Sequence, residues 1–551
     1  MTHPAATVRP RYDGPVRRAW ARVRASGYGT ALHRWFLSGR APDELAHMPS
    51  ARWPGDPQIG NALFQGRFAR AGRSATAPNQ PPWRLRPSDP AFNRWLSGFG
   101  WLNHFAAVGG NAAAGHARRL VRSWIDVHDE WSAEAWAPAL LGRRLIVWLT
   151  HAGFLLDGAD DGFRQAFLAS LARQARHLAR AADDAAPGPD RLTASVALAL
   201  AGLSLPRGEA WLAKALDRLG RDLPWQILGD GGYITRDPED LLNVLRDLID
   251  LRDELAESGR DIPQAIFNAI DRAVPMARAL RHGDGGLALF NGGFEGDPTL
   301  IDLVLTRSGV KARSLDDGAH IGFQRLGGRR AVAIVDAGIA PPGDLGRHAH
   351  LAPLSFEFSA GKERLVVNCG SGRDRLGDWP AVARTTAAHS TLVLDDRNAI
   401  ETDAVQPSRV EVQRNQDEAG AQWLEMAHDG YRTRFGARHR RRLYLDAEGD
   451  DLRGEDSLEL DAPERLAGRA VALRFHLHPG VQASLVQGGQ VVLLKTASGN
   501  GWRFRCAGGE LALEESIYLG QIDTIRRTEQ IVLRVVIDGE APTFKWALQR
   551  V

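Results

Sequence analysis

The chain has 551 residues, room for two or three domains of about 100 to 200 residues each, and its 44% hydrophobic and 25% charged content excludes wholesale disorder. Lys and Arg total 69 against 66 Asp and Glu, a net charge of +3 that is too small over so large a surface to advertise nucleic-acid binding. Two cysteines, Cys369 and Cys506, can build neither a disulfide framework nor a four-thiolate zinc site, so stability must come from packing.

The first 30 residues carry Arg9, Arg11, Arg17, Arg18, Arg22 and Arg24 but no continuous apolar stretch of the kind an export signal needs. Residues 1–90, with a Pro-rich segment from Pro49 to Pro90, read as an extension leading into a helical domain over 91–282. There the apolar side chains recur at three and four, as in Leu120, Trp124, Ile125 and Val127, then Leu145, Ile146, Trp148 and Leu149. Segments Leu192 to Leu205, Trp211 to Leu223, Pro238 to Leu255 and Pro263 to Leu280 repeat the habit with short links, which favours antiparallel neighbours in a solenoid or ring. The longest apolar run, Ala194 to Leu205, falls short of the roughly 18 residues of a spanning helix, so no transmembrane segment is expected. A Gly-rich connector over 283–329 follows. From 330 to 551 the period shortens to β-rich runs such as Arg330 to Val335, Leu354 to Phe358, Arg364 to Asn368 and Ile531 to Ile537, punctuated by Gly-Gly, Asp-Gly and Asn-Gly turns. That half is expected to be antiparallel β.

Three groups of residues could carry chemistry. In Arg347-His348-Ala349-His350 the two histidines, two apart on an extended segment, share a face and can bind a metal or handle protons. A solvated pair at the start of a strand is the plain alternative. His389 and the adjoining Asn368 and Cys369 extend the set, since His350, His389 and either Asn368 or Cys369 make a three-ligand zinc site. Against this, Cys369 can be a small buried hydrophobe and Asn368 a turn residue.

The second group is Asp230-Gly231-Gly232-Tyr233-Ile234-Thr235-Arg236-Asp237-Pro238-Glu239-Asp240. Asp237 is a good helix N-cap and Pro238 suits the first helical position, which accounts for most of the string. Tyr233 and Arg236 are left over as a phenol and a guanidinium that could face an anion. The third comprises Arg143, Arg144, Trp131, Trp136 and Trp148. Indoles stack on sugars and Arg forks bind carboxylates, although core packing explains each Trp singly. Only five of the 69 cations are lysine, leaving 64 arginines; these suit acidic ligands, as a GC-rich genome would also produce.

Taken together, Asp230-Gly231-Gly232 with its following helix, His348-Ala349-His350 before Leu354-Ser355-Phe356, Val367-Asn368-Cys369-Gly370, Ala388-His389-Ser390, Gly454-Glu455-Asp456 and Phe475-His476-Leu477-His478 resemble the bacterial heparinase II/III-like family of polysaccharide lyase-type proteins. The resemblance runs from about Trp95 to the end. It implies an N-terminal incomplete (α/α) toroid followed by a C-terminal antiparallel β-sandwich. It also implies an active site in the groove between them and an acidic, uronate-containing polysaccharide cleaved by β-elimination. By that likeness His348 is the catalytic histidine, with Tyr233 and Arg236 as further catalytic candidates. The likeness also makes His350 and His389 ligands of one structural zinc, with Asn368 and Cys369 beside them, while Arg144, Trp148, Asp230 and Asp240 are added as substrate-binding candidates on their own chemistry. No organic cofactor is implied. The family's usual location is the periplasm or cell envelope; the basic start, without an export signal, leaves the cytoplasm as the alternative.

The sequence departs from the family pattern in several places. Ala352 stands where an acidic residue is expected, and Asn368 where the third metal ligand is usually Asp. Pro189 and Asp190 occupy the Asn-His position, and Asp240 aligns with the expected Tyr. Two other readings therefore accompany a divergent lyase: a glycan-binding protein without turnover, and a glycoside hydrolase using Asp230, Asp237, Glu239 and Asp240.

Overall fold

The computed structural model describes residues 15–78, 80–85, 89–401 and 410–551; Arg9 and Arg11 of the basic N-terminus lie outside the described residues. The chain divides into two compact units. One is helical and comprises Val8–Gln226 with Asn243–Ile270; the other takes Ile227–Leu242 and Asp271–Val551 and carries the large sheets.

In the helical unit Gly110–His128, Pro138–Thr150, Asp161–Ala181, Pro189–Ser204 and Glu209–Gln226 follow one another with short connections. Their starts obey local rules. Asp160 caps Asp161–Ala181 by accepting from the Phe163 amide at 2.8 Å, and Pro138 and Pro189 fill first-turn positions. Every residue from Arg191 to Ser204 is buried, because that helix packs against both Pro138–Thr150 and Glu209–Gln226. A helix that is apolar all round must be surrounded in this way.

This packing claims two of the expected saccharide ligands. Arg144 is fully buried, donates to Gln174 Oε1 at 2.7 Å and to the carbonyls of Ser97 and Ala135 at 3.0 and 2.9 Å, and lies 4.1 Å over the Trp124 ring. Burial without a carboxylate partner lowers its pKa to about 9. Trp148 sits against Phe99, Trp124 and Phe167, also fully buried. The expectation that Arg144 and Trp148 line a sugar cleft gives way to core packing: Trp148 is enclosed by aromatic neighbours and the Arg144 guanidinium bonds to Gln174 and two carbonyls.

The β unit holds two antiparallel sheets. One runs, neighbour to neighbour, Gln482–Val486, Val491–Lys495, Gly501–Ala507, Thr543–Arg550, Asp451–Leu460, Ala437–Leu445, Gln422–His428, Val410–Gln416. The other runs Glu510–Tyr518, Arg526–Val536, Ala470–Leu477, Glu363–Val367, Phe356–Ala360, Ala331–Asp336, Phe323–Gly327, Asp317–Gly318, with Leu392–Leu394 pairing off this path onto Ala470–Leu477. One core joins them, built on Phe356, Phe358, Phe475, Trp502, Phe504 and Trp546.

Alternation along Ala437–Leu445 buries Ala437, His439, Arg441, Leu443 and Leu445, so a period of two sends a histidine and an arginine into that core. Asp456 meets them there. It accepts from Arg441 Nε at 2.7 Å, His439 Nε2 at 2.8 Å and Trp546 Nε1 at 2.9 Å. Burial opposes the carboxylate's charge, yet Arg441 and His439 outweigh it and hold the pKa at about 2. Arg441 Nη1 also donates to the carbonyls of Leu354 and Ser390, at 2.6 and 2.9 Å, tying down the two segments that follow His350 and His389.

Candidate active site

Residues 227–242 belong to the β unit, and the Asp-Gly-Gly string explains how they attach to it. Asp230 accepts from the Gly232 amide at 3.1 Å and, through its other oxygen, from the amides of His320 and Ile321 at 2.8 Å each. Both carboxylate oxygens are used in stitching two loops together. Tyr233 is only 1% exposed. Arg236 adopts a left-handed conformation (φ 60°) and is buried; its guanidinium pairs with Asp336, donates to the carbonyls of Ile321 (2.8 Å) and Ile339 (3.3 Å), and lies 4.9 Å over Phe323. These bonds occupy the fork that was expected to face an anionic ligand.

Asn291, which sequence reasoning placed in a linker, is what joins this turn to the histidines. Its Nδ2 donates to the Arg236 carbonyl and to Asp336 Oδ2, at 3.2 and 3.1 Å, and its Oδ1 accepts from the His350 amide at 3.1 Å. It too is left-handed (φ 54°), a conformation Asn tolerates better than most residues. The Asn-Gly-Gly string was the available signal.

Beyond Arg236 the chain enters helix Pro238–Glu257. Asp237 caps it, accepting from the amides of Glu239 (2.8 Å) and Asp240 (3.4 Å). Arg373 then gathers the carboxylates of this turn: Nη1 lies 3.1 Å from Asp237 Oδ2 and 3.4 Å from Asp240 Oδ1, and Nη2 lies 2.6 Å from Glu239 Oε2. Burial, Asp240 and Glu239 push the Asp237 carboxyl well above the usual carboxylate range, and Arg373 only partly offsets them.

His348 stands close to Asp237, across Gly292 and Gly293. A methyl group on Gly292 (φ 100°) would lie 2.6 Å from His348 Cβ and 3.5 Å from Asp237 Oδ2, so those two atoms are no more than about 6 Å apart. Only glycine fits between them. Burial first, and then the guanidiniums of Arg373, Arg347 and Arg384, lower the His348 pKa to about 3. Its Nε2 accepts from Arg347 Nε at 3.1 Å, consistent with a neutral ring. The site therefore holds an imidazole whose pKa is lowered, close to a carboxyl group whose pKa is raised. Environments that push two neighbouring pKa values apart in this sense suit a base and an acid. Of the candidates named from sequence, the fold brings His348 and Asp240 together here. Asp237 was expected as a helix cap and as one of four carboxylates of the hydrolase reading, not as the partner of His348, and Arg373 carried no local signal, since its partners lie more than 130 residues away.

The implied zinc meets a mixed donor set. His350 and His389 do meet, with ring centroids 4.2 Å apart. His389 Nδ1 faces the Thr385 carbonyl at 2.7 Å, leaving a buried Nε2 with no partner, as a ligand would. The rest does not complete a site. Both nitrogens of His350 face backbone amides, Asn291 at 3.1 Å and Gly292 at 3.2 Å, of which a neutral ring can accept one. Asn368 offers a neutral amide whose Oδ1 already accepts from Ser390. Burial pushes the Cys369 thiol up to about 12, and its Sγ turns to His476 Nδ1 at 3.4 Å. Among the described residues no three His, Cys, Asp or Glu are grouped to hold a metal ion. These residues do not fit a zinc centre.

Residues 310–547 match the family described as heparinase II/III-like, C-terminal. FtsZ-localized protein C of Caulobacter vibrioides (strain NA1000 / CB15N) is 33% identical over 562 aligned positions that cover 96% of either chain. The chain belongs to the heparinase II/III-like family. Its fold agrees with that family's solved members. A crystal structure of heparinase III matches with a TM-score of 0.73 at 13% identity, covering 99% of this chain and 93% of that one. Heparan sulfate lyase HepC from Pedobacter heparinus matches with 0.57 at 16% identity, covering 98% and 91%. The expected order, helical toroid and then antiparallel β-sandwich, is thus the family's fold. Among the described residues no helix is long and apolar enough to cross a membrane.

Proposed function

We propose that the protein is a polysaccharide lyase for an acidic, uronate-containing glycan, with His348 as base and Asp237 as acid. What supports this reading is the opposed displacement of their pKa values on side chains brought close together, His348 Cβ lying no more than about 6 Å from Asp237 Oδ2. His348 takes the proton on the carbon next to the uronate carboxylate. The C–H electron pair becomes the new C=C bond, the glycosidic C–O bond breaks, and the departing oxygen takes the Asp237 proton. No water is consumed. The guanidiniums around His348 oppose the charge that builds on the substrate carboxylate, and that carboxylate in turn raises the His348 pKa towards a working range.

Asp237→Asn keeps a capping side chain but cannot give up a proton, and His348→Ala removes the base. Each is expected to lower formation of unsaturated uronate ends, followed by ultraviolet absorbance, by about 10²- to 10⁴-fold. Wild-type protein that yields no such product from a panel of acidic polysaccharides, with His348→Ala indistinguishable from it, defeats the proposal. Tight binding without product selects instead a glycan-binding protein, a reading favoured by the internal use of Arg236 and the burial of Tyr233. The hydrolase reading is weakened because Asp237, Glu239 and Asp240 all converge on Arg373 and do not form an opposed pair.

The full-length similarity to a protein named for localizing with FtsZ supports a place at the same structure for this chain. A fluorescent fusion is expected to coincide with FtsZ in the cell; uniform distribution would exclude it.

A further inference from the structure

The β unit carries a second candidate binding surface that shares no residue with the His348 cluster. A cleft of about 540 Å³ opens where the turn at Gly328-Arg329-Arg330 meets the hairpin tip at Gly361-Lys362, with Asn500 and the C-terminal strand's Arg550 on its wall. Five cations line it, Arg325, Arg329, Arg330, Lys362 and Arg550, against one carboxylate, Glu363.

The neighbouring acids do not cancel this charge. Glu448 and Asp450 on the rim serve three of the cations: Glu448 lies 3.5 Å from Arg329 and 3.4 Å from Arg330, and Asp450 lies 2.6 Å from Arg330 and 3.4 Å from Arg550. These are exposed pairs, which bind their partners weakly and can be exchanged for another anion. Glu363 is held by neutral donors, the Ser498 amide at 2.8 Å, Ser498 Oγ at 2.6 Å and Asn500 Nδ2 at 3.2 Å. Arg325 Nη1 donates to the carbonyls of Ala279 and Arg281 at 2.9 Å each, and Asp316 acts on it electrostatically. Lys362 stands exposed at the hairpin tip. The remaining wall is made of small residues and backbone, and the indole of Trp502 is buried in the core, so no exposed aromatic face is offered to a nucleobase. Cations combined with hydroxyl and amide groups suit an anionic, hydroxyl-rich chain.

We propose that this cleft is a non-catalytic binding site for a sulfated or carboxylated oligosaccharide. It holds a polyanionic glycan on the sandwich independently of whether His348 and Asp237 turn it over.

The experiment uses the full chain with a heparin-derived hexasaccharide, uncharged maltohexaose and inorganic sulfate as probes. Hydrogen exchange is expected to show protection of residues 328–332 and 359–363 with the hexasaccharide and none with maltohexaose. Calorimetry is expected to show roughly tenfold weaker hexasaccharide binding at this site for the double variant Arg329→Glu/Lys362→Glu, and weakening with added salt. The neutral double variant Arg329→Ser/Lys362→Ser, expected to fall between, guards against a misfolded charge reversal; both keep the wild-type melting temperature. Absent protection in these segments, unchanged affinity in both variants, or equal binding of maltohexaose overturns the proposal. Protection by sulfate at the same concentration and to the same extent as the hexasaccharide also overturns it, since it marks an adventitious ion only. His348→Ala, which tests the lyase reading, leaves this protection in place, so the two proposals fail separately.

Discussion

Replacing Arg373 by glutamine removes the guanidinium shared by Asp237, Glu239 and Asp240 while keeping a side chain of similar reach. In the wild type that guanidinium is 18% exposed, and Asp237 beneath it 1% exposed, so solvent cannot take over the pairing. Deleting one partner of a buried ion pair costs about 3 to 5 kcal/mol, because the other charge is left uncompensated. Here Asp237 and Asp240 retain amide donors or partial exposure, so the lower end, about 3 kcal/mol at pH 7.5, is expected. The pH dependence gives a sharper check. Without Arg373 the carboxylates repel one another in the folded state, and the Asp237 pKa, already raised, rises further. A group with a raised folded pKa binds protons more readily folded than unfolded, so its favourable contribution is present at low pH and is lost as pH rises. The stability deficit of Arg373→Gln should therefore shrink between pH 7.5 and pH 5, and Arg373→Gln/Asp237→Asn should recover part of it at pH 7.5. Calorimetric melting of the four members of this cycle across that range provides the measurement. A deficit below about 1 kcal/mol, or one that grows on acidification, would show that the carboxylate cluster is not held as described.

Other consequences concern the sandwich and its histidines. His348 and His476, with pKa values lowered to about 3, and His389 and His478, lowered to about 4, are kept neutral chiefly by burial. The unfolded chain protonates them near pH 6.5 and the folded chain does not, so each should remove about 1.4 kcal/mol of stability per pH unit below 6.5 until its folded pKa is reached. A melting temperature that stays flat from pH 6.5 to 4.5 would refute this. Arg441→Met leaves the buried Asp456 carboxylate with His439 and the neutral Trp546 indole but no guanidinium, and is expected to cost about 3 to 5 kcal/mol in urea unfolding, whereas an exposed change such as Arg442→Met should cost less than about 0.5 kcal/mol. Dialysis against EDTA is expected to leave the melting temperature unchanged, because His350, Asn368 and Cys369 each have other partners. A loss reversed by zinc would overturn that reading of the donors.

Much of the architecture was written in local pattern. The three-and-four spacing around Leu120 and Leu145 marked helices, and Arg364 to Asn368 or Ile531 to Ile537 marked strands, because side-chain period follows directly from backbone geometry. The burial of Arg441 is also a period-two consequence, although nothing local says that Asp456 will meet it. The histidine pair was legible as a pair. The roles of Arg144, Trp148 and Arg236 were not, since an arginine or indole suited to a sugar is equally suited to a core, and only the neighbours decide which.

The sequence by itself determined the class of fold, the family and the presence of a closely spaced histidine pair ahead of a strand. Tertiary structure alone decided that His348 Cβ and Asp237 Oδ2 come close on either side of Gly292, that Arg373 closes over a turn more than 130 residues distant, and that the five cations of the sandwich cleft collect on one surface. The physical reason is common to all three. Charge and pKa depend on distance and dielectric, and both are set by groups that the chain brings together only when it folds.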